Sequence, residues 1–136
     1  MNSGDLQVGD ALEPRVLEPI SRTDIVCYQG SSGDFQPIHH DEPFARSAGY
    51  EAPLVVGMLP AGILAAWAAD IFGPENVRRT RIRWKAQVWP GDVLTCRGRV
   101  SERHTDDGEE QIELELECTK DDGSVAVAGW MTFVTS

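Results

Sequence analysis

The sequence predicts an α+β fold, a curved antiparallel sheet of about five strands wrapped around one long central helix. Three observations predict it. Met58–Phe72 places Leu59, Ile63, Leu64, Trp67 and Ile71 at helical spacing, with alanines filling much of the rest. From Val77 onward the apolar period changes to two. The length, 136 residues and 14.9 kDa, suits a single domain spanning residues 1–136, large enough to bury a core without a metal or disulfide.

Taken in order, Arg15–Pro19 reads as a short first strand. Thr23 is the expected N-cap of a helix reaching about Tyr28, because its hydroxyl can accept from a free backbone N–H. Gly30–Asp34 interrupts the pattern, and Glu42–Ala48 reads as a short helix stopped by Gly49. Met58–Phe72 ends at Gly73-Pro74, and its apolar character on nearly every side predicts burial. The run beginning at Val77 puts Arg79, Arg81, Arg83 and Lys85 on one strand face and Thr80, Ile82, Trp84 and Ala86 on the other. Pro90-Gly91-Asp92 turns the chain into a strand over Val93–His104. Asp106-Asp107-Gly108 and Asp121-Asp122-Gly123 read as hairpin turns flanking strands at Gln111–Lys120 and Ser124–Val134. The expected order is a four-strand meander with a fifth strand from the N-terminus.

Charge and composition exclude several classes. A formal net charge of -10, from 22 acidic against 12 basic residues, lacks the basic footprint of a nucleic-acid binder. It still allows a local basic patch for a phosphorylated ligand. Cys27, Cys96 and Cys118 form no paired motif and read as reduced thiols of an intracellular protein. Met1–Asp10 has no apolar core of a secretory leader, and no run reaches the roughly 18 apolar residues of a membrane span. The expectation is a soluble, cytoplasmic protein with no membrane partner.

The chemistry is concentrated in Ser32-Gly33-Asp34-Phe35-Gln36-Pro37-Ile38-His39-His40-Asp41. Gly33 and Pro37 make this a structured loop, a common setting for catalytic groups. A carboxylate and an imidazole held together can activate water and handle a carbon-bound proton. The same residues have plainer readings. Asp34 could close an Asx turn, His39 could be a satisfied core histidine, and the two histidines with nearby acids could hold a metal. Adjacent histidines diverge in most backbone conformations and no further Cys/His cluster exists, so the acid–base reading is preferred, with no metal and no cofactor.

The segment resembles the signature of the MaoC-like dehydratases, a family that includes the (R)-specific enoyl-CoA hydratases. Tyr28, Ser32, Gly33, Asp34, Phe35, Gln36, Pro37, Ile38, His39 and Ala45 occupy the places of that signature. Phe44, Pro53, Gly57-Met58-Leu59 and Pro90-Gly91-Asp92 follow in the family's order, so the likeness runs from about residue 15 to the end. Two places depart from it. Gln36 stands where Asn is usual, and Val56 stands where many members have His. A narrower likeness, in Asp-Phe-Gln-x-(aliphatic)-His-His-Asp, is to the catalytic subunit of actinobacterial heteromeric MaoC hydratases acting on steroid side-chain CoA thioesters.

The resemblance implies the hot-dog fold and hydration of trans-2-enoyl thioesters, or dehydration of (R)-3-hydroxyacyl thioesters, with acyl-CoA favoured over acyl-carrier protein. By that resemblance Asp34 and His39 are the catalytic pair, supported by Gln36, Ser32 and Gly33. The Gly57 N–H, at the start of the long helix, would stabilise the thioester carbonyl as it becomes enolate-like. Val56, Met58, Arg81, Arg83 and Lys85 are candidates for substrate contact, the basic run serving the nucleotide of CoA or an acidic carrier. That run could equally be a solvated strand face. Trp84 and Trp89 read as core or interface residues. The Ala61, Ala65 and Ala66 face reads either as room for an acyl chain or as tight helix–sheet packing.

The resemblance also implies a homodimer, or a heteromer with a related hot-dog subunit. The competing reading is a non-catalytic or weakly active acyl-binding subunit, although both Asp34 and His39 are present. A thioesterase of the same fold is disfavoured, because the long helix offers only Asp70 as a carboxylate, near its far end.

Overall fold

The computed structural model describes residues 3–135. Strands β1 (Arg15–Val16), β2 (Val77–Trp84), β3 (Leu94–Asp106), β4 (Glu109–Lys120) and β5 (Val125–Val134) form one antiparallel sheet. The helices are α1 (Arg22–Ser32), α2 (Glu42–Ser47) and α3 (Met58–Phe72). The sheet curves around α3, as the hot-dog fold requires.

The sheet order is β1-β3-β4-β5-β2, which corrects the expected meander. β3, β4 and β5 are joined by hairpins, whereas β2 crosses over to pair with β5 at the edge. Backbone bonds after Trp84 hold that edge position. Lys85 and Ala86 both donate to the Ala126 carbonyl, and Val88 accepts from the Val55 N–H. The pleat explains the remainder: Ile82 turns inward beside Gly129 and Leu64, while Arg79, Arg81 and Arg83 stay exposed.

Alternation fills the core. Leu94, Cys96, Val100, Ile112, Leu114, Leu116 and Cys118 are fully buried on the inner face of β3 and β4. They meet Ala61, Leu64, Trp67, Ala68 and Phe72 of α3, and Phe72 packs on Phe133 with ring centroids 4.9 Å apart. Cys96 and Cys118 face each other in register as free thiols, while Cys27 is exposed. Contact with Cys96, together with burial, pushes the Cys118 thiol far above its ordinary range.

The expectation that α3 is buried on nearly every side is also corrected. Met58, Gly62, Ala66 and Asp70, one turn apart in succession, form an exposed stripe, with Met58 51% exposed. One sheet can cover one side of a helix, and no other element of this chain covers the opposite side among the described residues. Ala61 packs inward, Ala65 is half-buried and Ala66 is exposed.

α1 differs from expectation at both ends. Its N-cap is Ser21, not Thr23, because Ser21 and Asp24 form a reciprocal capping box. It continues through Gly30 to Ser32, and only Gly33, at φ 76°, breaks it in the left-handed conformation open to glycine. β1 is shorter than predicted, although Leu17 and Ile20 extend its attachment by donating to the Leu94 and Asp92 carbonyls. The Asp106–Glu109 hairpin turns through Asp107 and Gly108, both at positive φ. No helix among the described residues is long and apolar enough to cross a membrane. Met1 and Asn2, part of the segment expected not to be a leader, lie outside the described residues.

Candidate active site

The candidate site is assembled where α1 ends and α3 begins. The left-handed turn at Gly33 delivers Asp34, Phe35 and Gln36 as a loop, and Pro37–His39 follows as a single 3-10 turn. Asp41 then caps α2, its carboxylate accepting from the Phe44 N–H at 3.0 Å. The loop is tied internally. Ser32 Oγ accepts from the Asp34 N–H at 3.2 Å, and the Asp34 carboxylate accepts from the Gln36 N–H at 3.3 Å.

His39 is held across the chain. Its Nδ1 lies 2.7 Å from the Leu54 carbonyl oxygen. A carbonyl only accepts, so Nδ1 carries the proton and Nε2 is left with a lone pair in the neutral ring. His40 turns to a different partner, placing its Nδ1 3.0 Å from Gln29 Oε1. The two adjacent histidines therefore diverge, as their neighbouring positions suggested.

His39 lines an apolar pocket of about 380 Å³ with Leu54, Val55, Gly57, Pro60, Trp84, Lys85 and Val88. Gly57 caps α3, and the N–H groups of a first helical turn lack intrahelical partners, so this wall carries partial positive charge. Trp84 packs over it. Its indole N–H donates to the Gly57 carbonyl at 2.8 Å, and a Cβ on Gly57 would stand 3.3 Å from that nitrogen. Close approach of the indole thus favours glycine at this position.

Of the residues singled out in the sequence, this pocket brings together His39, Gly57 and Lys85. Ser32, which ends α1, and Gly33, Asp34 and Gln36 of the exposed loop preceding His39 are not among the pocket's lining residues. Val56 is buried, its carbonyl accepting from the Leu59 N–H, and Met58 is on the exposed stripe of α3. Arg81 lies on the outer sheet face, 5.4 Å over the Trp130 ring and 3.7 Å from Glu113, and Arg83 lies on the same row.

Two contributors were missed: Gln29 is 3% exposed and holds the loop by its side chain, and Leu54 orients His39 by its backbone. Trp84, read as a core or interface residue, is half-exposed and walls the pocket. No sequence signal reports a backbone carbonyl as a partner. Gln29 carried only the weak signal of a long amide in the helix preceding the loop.

The MaoC like domain model matches residues 5–122. The chain is 26% identical over 103 residues to the (R)-specific enoyl-CoA hydratase of Aeromonas caviae, covering 74% of this chain and 75% of that protein. An (R)-hydratase structure from A. caviae superimposes with a TM-score of 0.81 at 23% identity, over 96% of this chain and 97% of that one. A chain of the ChsH1–ChsH2 complex from Mycobacterium tuberculosis gives a TM-score of 0.81 at 23% identity, over 96% and 98%. The peroxisomal multifunctional enzyme type 2 of Mus musculus is 35% identical over 66 residues, 46% of this chain but 9% of that protein. Several of the curated relatives are thus much longer proteins, of which this chain spans well under two thirds. With a matching model over most of its length and the His39 of its signature loop lining a pocket beside the start of α3, the chain belongs to the MaoC-like domain family.

Proposed function

We propose that the chain hydrates trans-2-enoyl thioesters, or dehydrates (R)-3-hydroxyacyl thioesters in reverse, using Asp34 and His39 as an acid–base pair and acyl-CoA as the favoured substrate. The observation that carries this reading is the Nδ1 contact of His39 with the Leu54 carbonyl, which leaves Nε2 as the working nitrogen of a ring in the pocket wall. The names of the A. caviae relatives support the same reaction class.

In the hydration direction, water adds its oxygen to C3 and a proton is delivered to C2. Asp34 takes a proton from the water as its oxygen adds to C3. That proton passes to the Nε2 lone pair of His39 and from there to C2, so the pair ends with the protons it began with. The titration of such a pair belongs to both groups, and the roles can be shared. Enolate charge on the thioester oxygen is met by the Gly57 N–H and the positive end of α3.

Lys85, in the pocket wall, is the candidate for the phosphates of CoA or for an acidic carrier protein, with Arg81 and Arg83 further along β2. β2 is an edge strand, which suits pairing with a second copy or with a related hot-dog subunit. The ChsH1–ChsH2 complex, which shares the fold, has two components. The second reading, an acyl-binding subunit completing a partner's tunnel, draws on that neighbour and on the exposure of Asp34.

Loss of enoyl absorbance, followed with crotonyl-CoA and with a bulky enoyl-CoA, tests the proposal on wild type, Asp34→Asn and His39→Ala. Turnover that collapses in both variants supports it. Folded wild type that turns over neither substrate, alone or with a related subunit, favours the binding role instead.

A further inference from the structure

The mechanism above leaves unused a buried polar side chain adjoining its site. Gln29, on the last turn of α1, is 3% exposed and spends its whole amide on three partners. Its Nε2 donates to the Asp34 carbonyl at 2.8 Å and to the Gln36 carbonyl at 3.2 Å, and its Oε1 lies 3.0 Å from His40 Nδ1. Two acceptors on one end and a ring nitrogen on the other fix which end is NH₂, and with it the Nδ1–H form of His40.

We propose that Gln29 is a positioning residue, a clamp that sets the peptide planes on both sides of Phe35 and so aims the Asp34 carboxylate. Asp34 and Gln36 bracket the exposed Phe35, and nothing apolar pins this stretch, because Asp34, Phe35 and Gln36 are all exposed. A loop without buried side chains keeps its conformation through hydrogen bonds, and here the exposed Ser32 and Asp34 side chains tie it internally while Gln29 ties it to the body of the protein. The two Gln29 N–H donors anchor both ends of it to a helix whose start is fixed by the Ser21–Asp24 capping box. The bond to His40 anchors the chain beyond His39, so both members of the proposed pair lie within the span that Gln29 holds.

The inference rests on the hydratase reading for its kinetic test only. Gln29→Leu, Gln29→Met and Gln29→Glu are compared with wild type for kcat and KM on crotonyl-CoA, with circular dichroism as the check on folding. Glu keeps the length and the acceptor for His40 but has no N–H for the two carbonyls.

Misplacement of a reacting group by about 1 Å costs on the order of a hundredfold. The expected result is a fall in kcat of roughly ten- to a hundredfold in all three, with KM within about threefold of wild type. A folded variant at wild-type kcat overturns the clamp, as does a loss confined to melting temperature. Nitrogen-15 spectra of the imidazoles read the same geometry without turnover. His40 should be Nδ1–H in wild type and in Gln29→Glu, and should shift toward the Nε2–H form in Gln29→Leu. An Nε2–H wild type overturns the clamp outright. If wild type proves inactive as a hydratase, the kinetic arm falls with that reading, and the spectra alone decide whether Gln29 holds the loop.

Discussion

His39 and Leu54 are joined by a 2.7 Å contact between the ring Nδ1 and the backbone carbonyl, across fifteen positions of sequence. A backbone acceptor cannot be removed by a side-chain change, so this arrangement fixes the ring whatever residue occupies position 54. His39→Ala is expected to lower kcat by about 10²–10⁴-fold, the usual worth of a positioned acid–base group. Leu54→Ala, which alters the side chain and keeps the carbonyl, should spare kcat far more. Steady-state kinetics on the same enoyl-CoA compares the two, and equal losses would count against orientation by the carbonyl.

Gly57→Ala tests the contact at the start of α3. The backbone there is ordinary helix, φ -56°, so alanine brings no conformational strain. Its methyl would stand 3.3 Å from Trp84 Nε1, and the indole must shift. Gly57→Ala should therefore cost about 1–3 kcal/mol of activation free energy while the melting temperature moves little. Trp84→Phe, which loses the bond to the Gly57 carbonyl but frees space, should partly restore Gly57→Ala in the double variant. Strict additivity of the two losses would rule the contact out as the cause.

These two relationships also mark where the sequence stops being legible. Period-two alternation and the Gly-containing turns placed β3, β4 and β5 to within two residues, and helical spacing placed α3, because burial leaves a pattern that does not depend on partners. The pairing of β2 with β5 left no such mark. Ile82 and the arginine row would alternate identically beside either strand. Thr23 reads as an N-cap from residue type alone, whereas the cap is Ser21, marked by the Asp three places on that completes a capping box. Of the proposed catalytic groups, Asp34 and His39 were visible as residue types in a Gly/Pro loop, and Gly57 as a helix start. Gln29, Leu54 and Trp84 act through a buried amide, a carbonyl and a close approach, none of which has a spacing to read.

Gly98 is a packing constraint on the inner sheet face. A Cβ there would lie 2.6 Å from Leu116 Cδ2, closer than carbon atoms approach, and a tight 3.1 Å from Leu12 Cδ1. Gly98→Ala should cost about 1–3 kcal/mol by overpacking, measured by urea denaturation. Shortening the neighbour in Gly98→Ala/Leu116→Val should recover part of that loss. Unchanged stability of the single variant would mean that the N-terminal segment carrying Leu12 yields freely.

The capping box of α1 has a pH signature. Hydrogen bonds from the Ser21 N–H and hydroxyl hold the Asp24 carboxyl below its ordinary value of 3.8. A carboxyl lowered on folding binds protons less readily in the native state, so its contribution is complete above 3.8 and is lost as pH falls through the lowered value. The difference in melting temperature between wild type and Asp24→Asn should therefore be constant near neutrality and shrink in strong acid. A gap that widens on acidification would reverse the assignment.

The segment between β2 and β3 carries Lys85, Gln87 and Val88 past the pocket and is fastened to β4 by Lys120. Lys120 Nζ lies 3.0 Å from Asp92 Oδ2 and 3.2 Å from the Gln87 carbonyl, with side-chain exposures of 12% for Lys120 and 20% for Asp92. Asp92 also accepts from the Trp89 N–H at 2.9 Å, so one carboxylate closes the turn and receives the lysine. Lys120→Met keeps most of the aliphatic stem and removes the charge. The pair lies between the exposed and fully buried regimes, which sets the expected loss at about 1–3 kcal/mol in urea denaturation. Because Gln87 is released as well, the pocket wall should loosen and KM for the thioester should rise more than kcat falls. A stability loss with KM untouched would confine Lys120 to holding the turn, and would place the binding of substrate on the α3 side of the pocket.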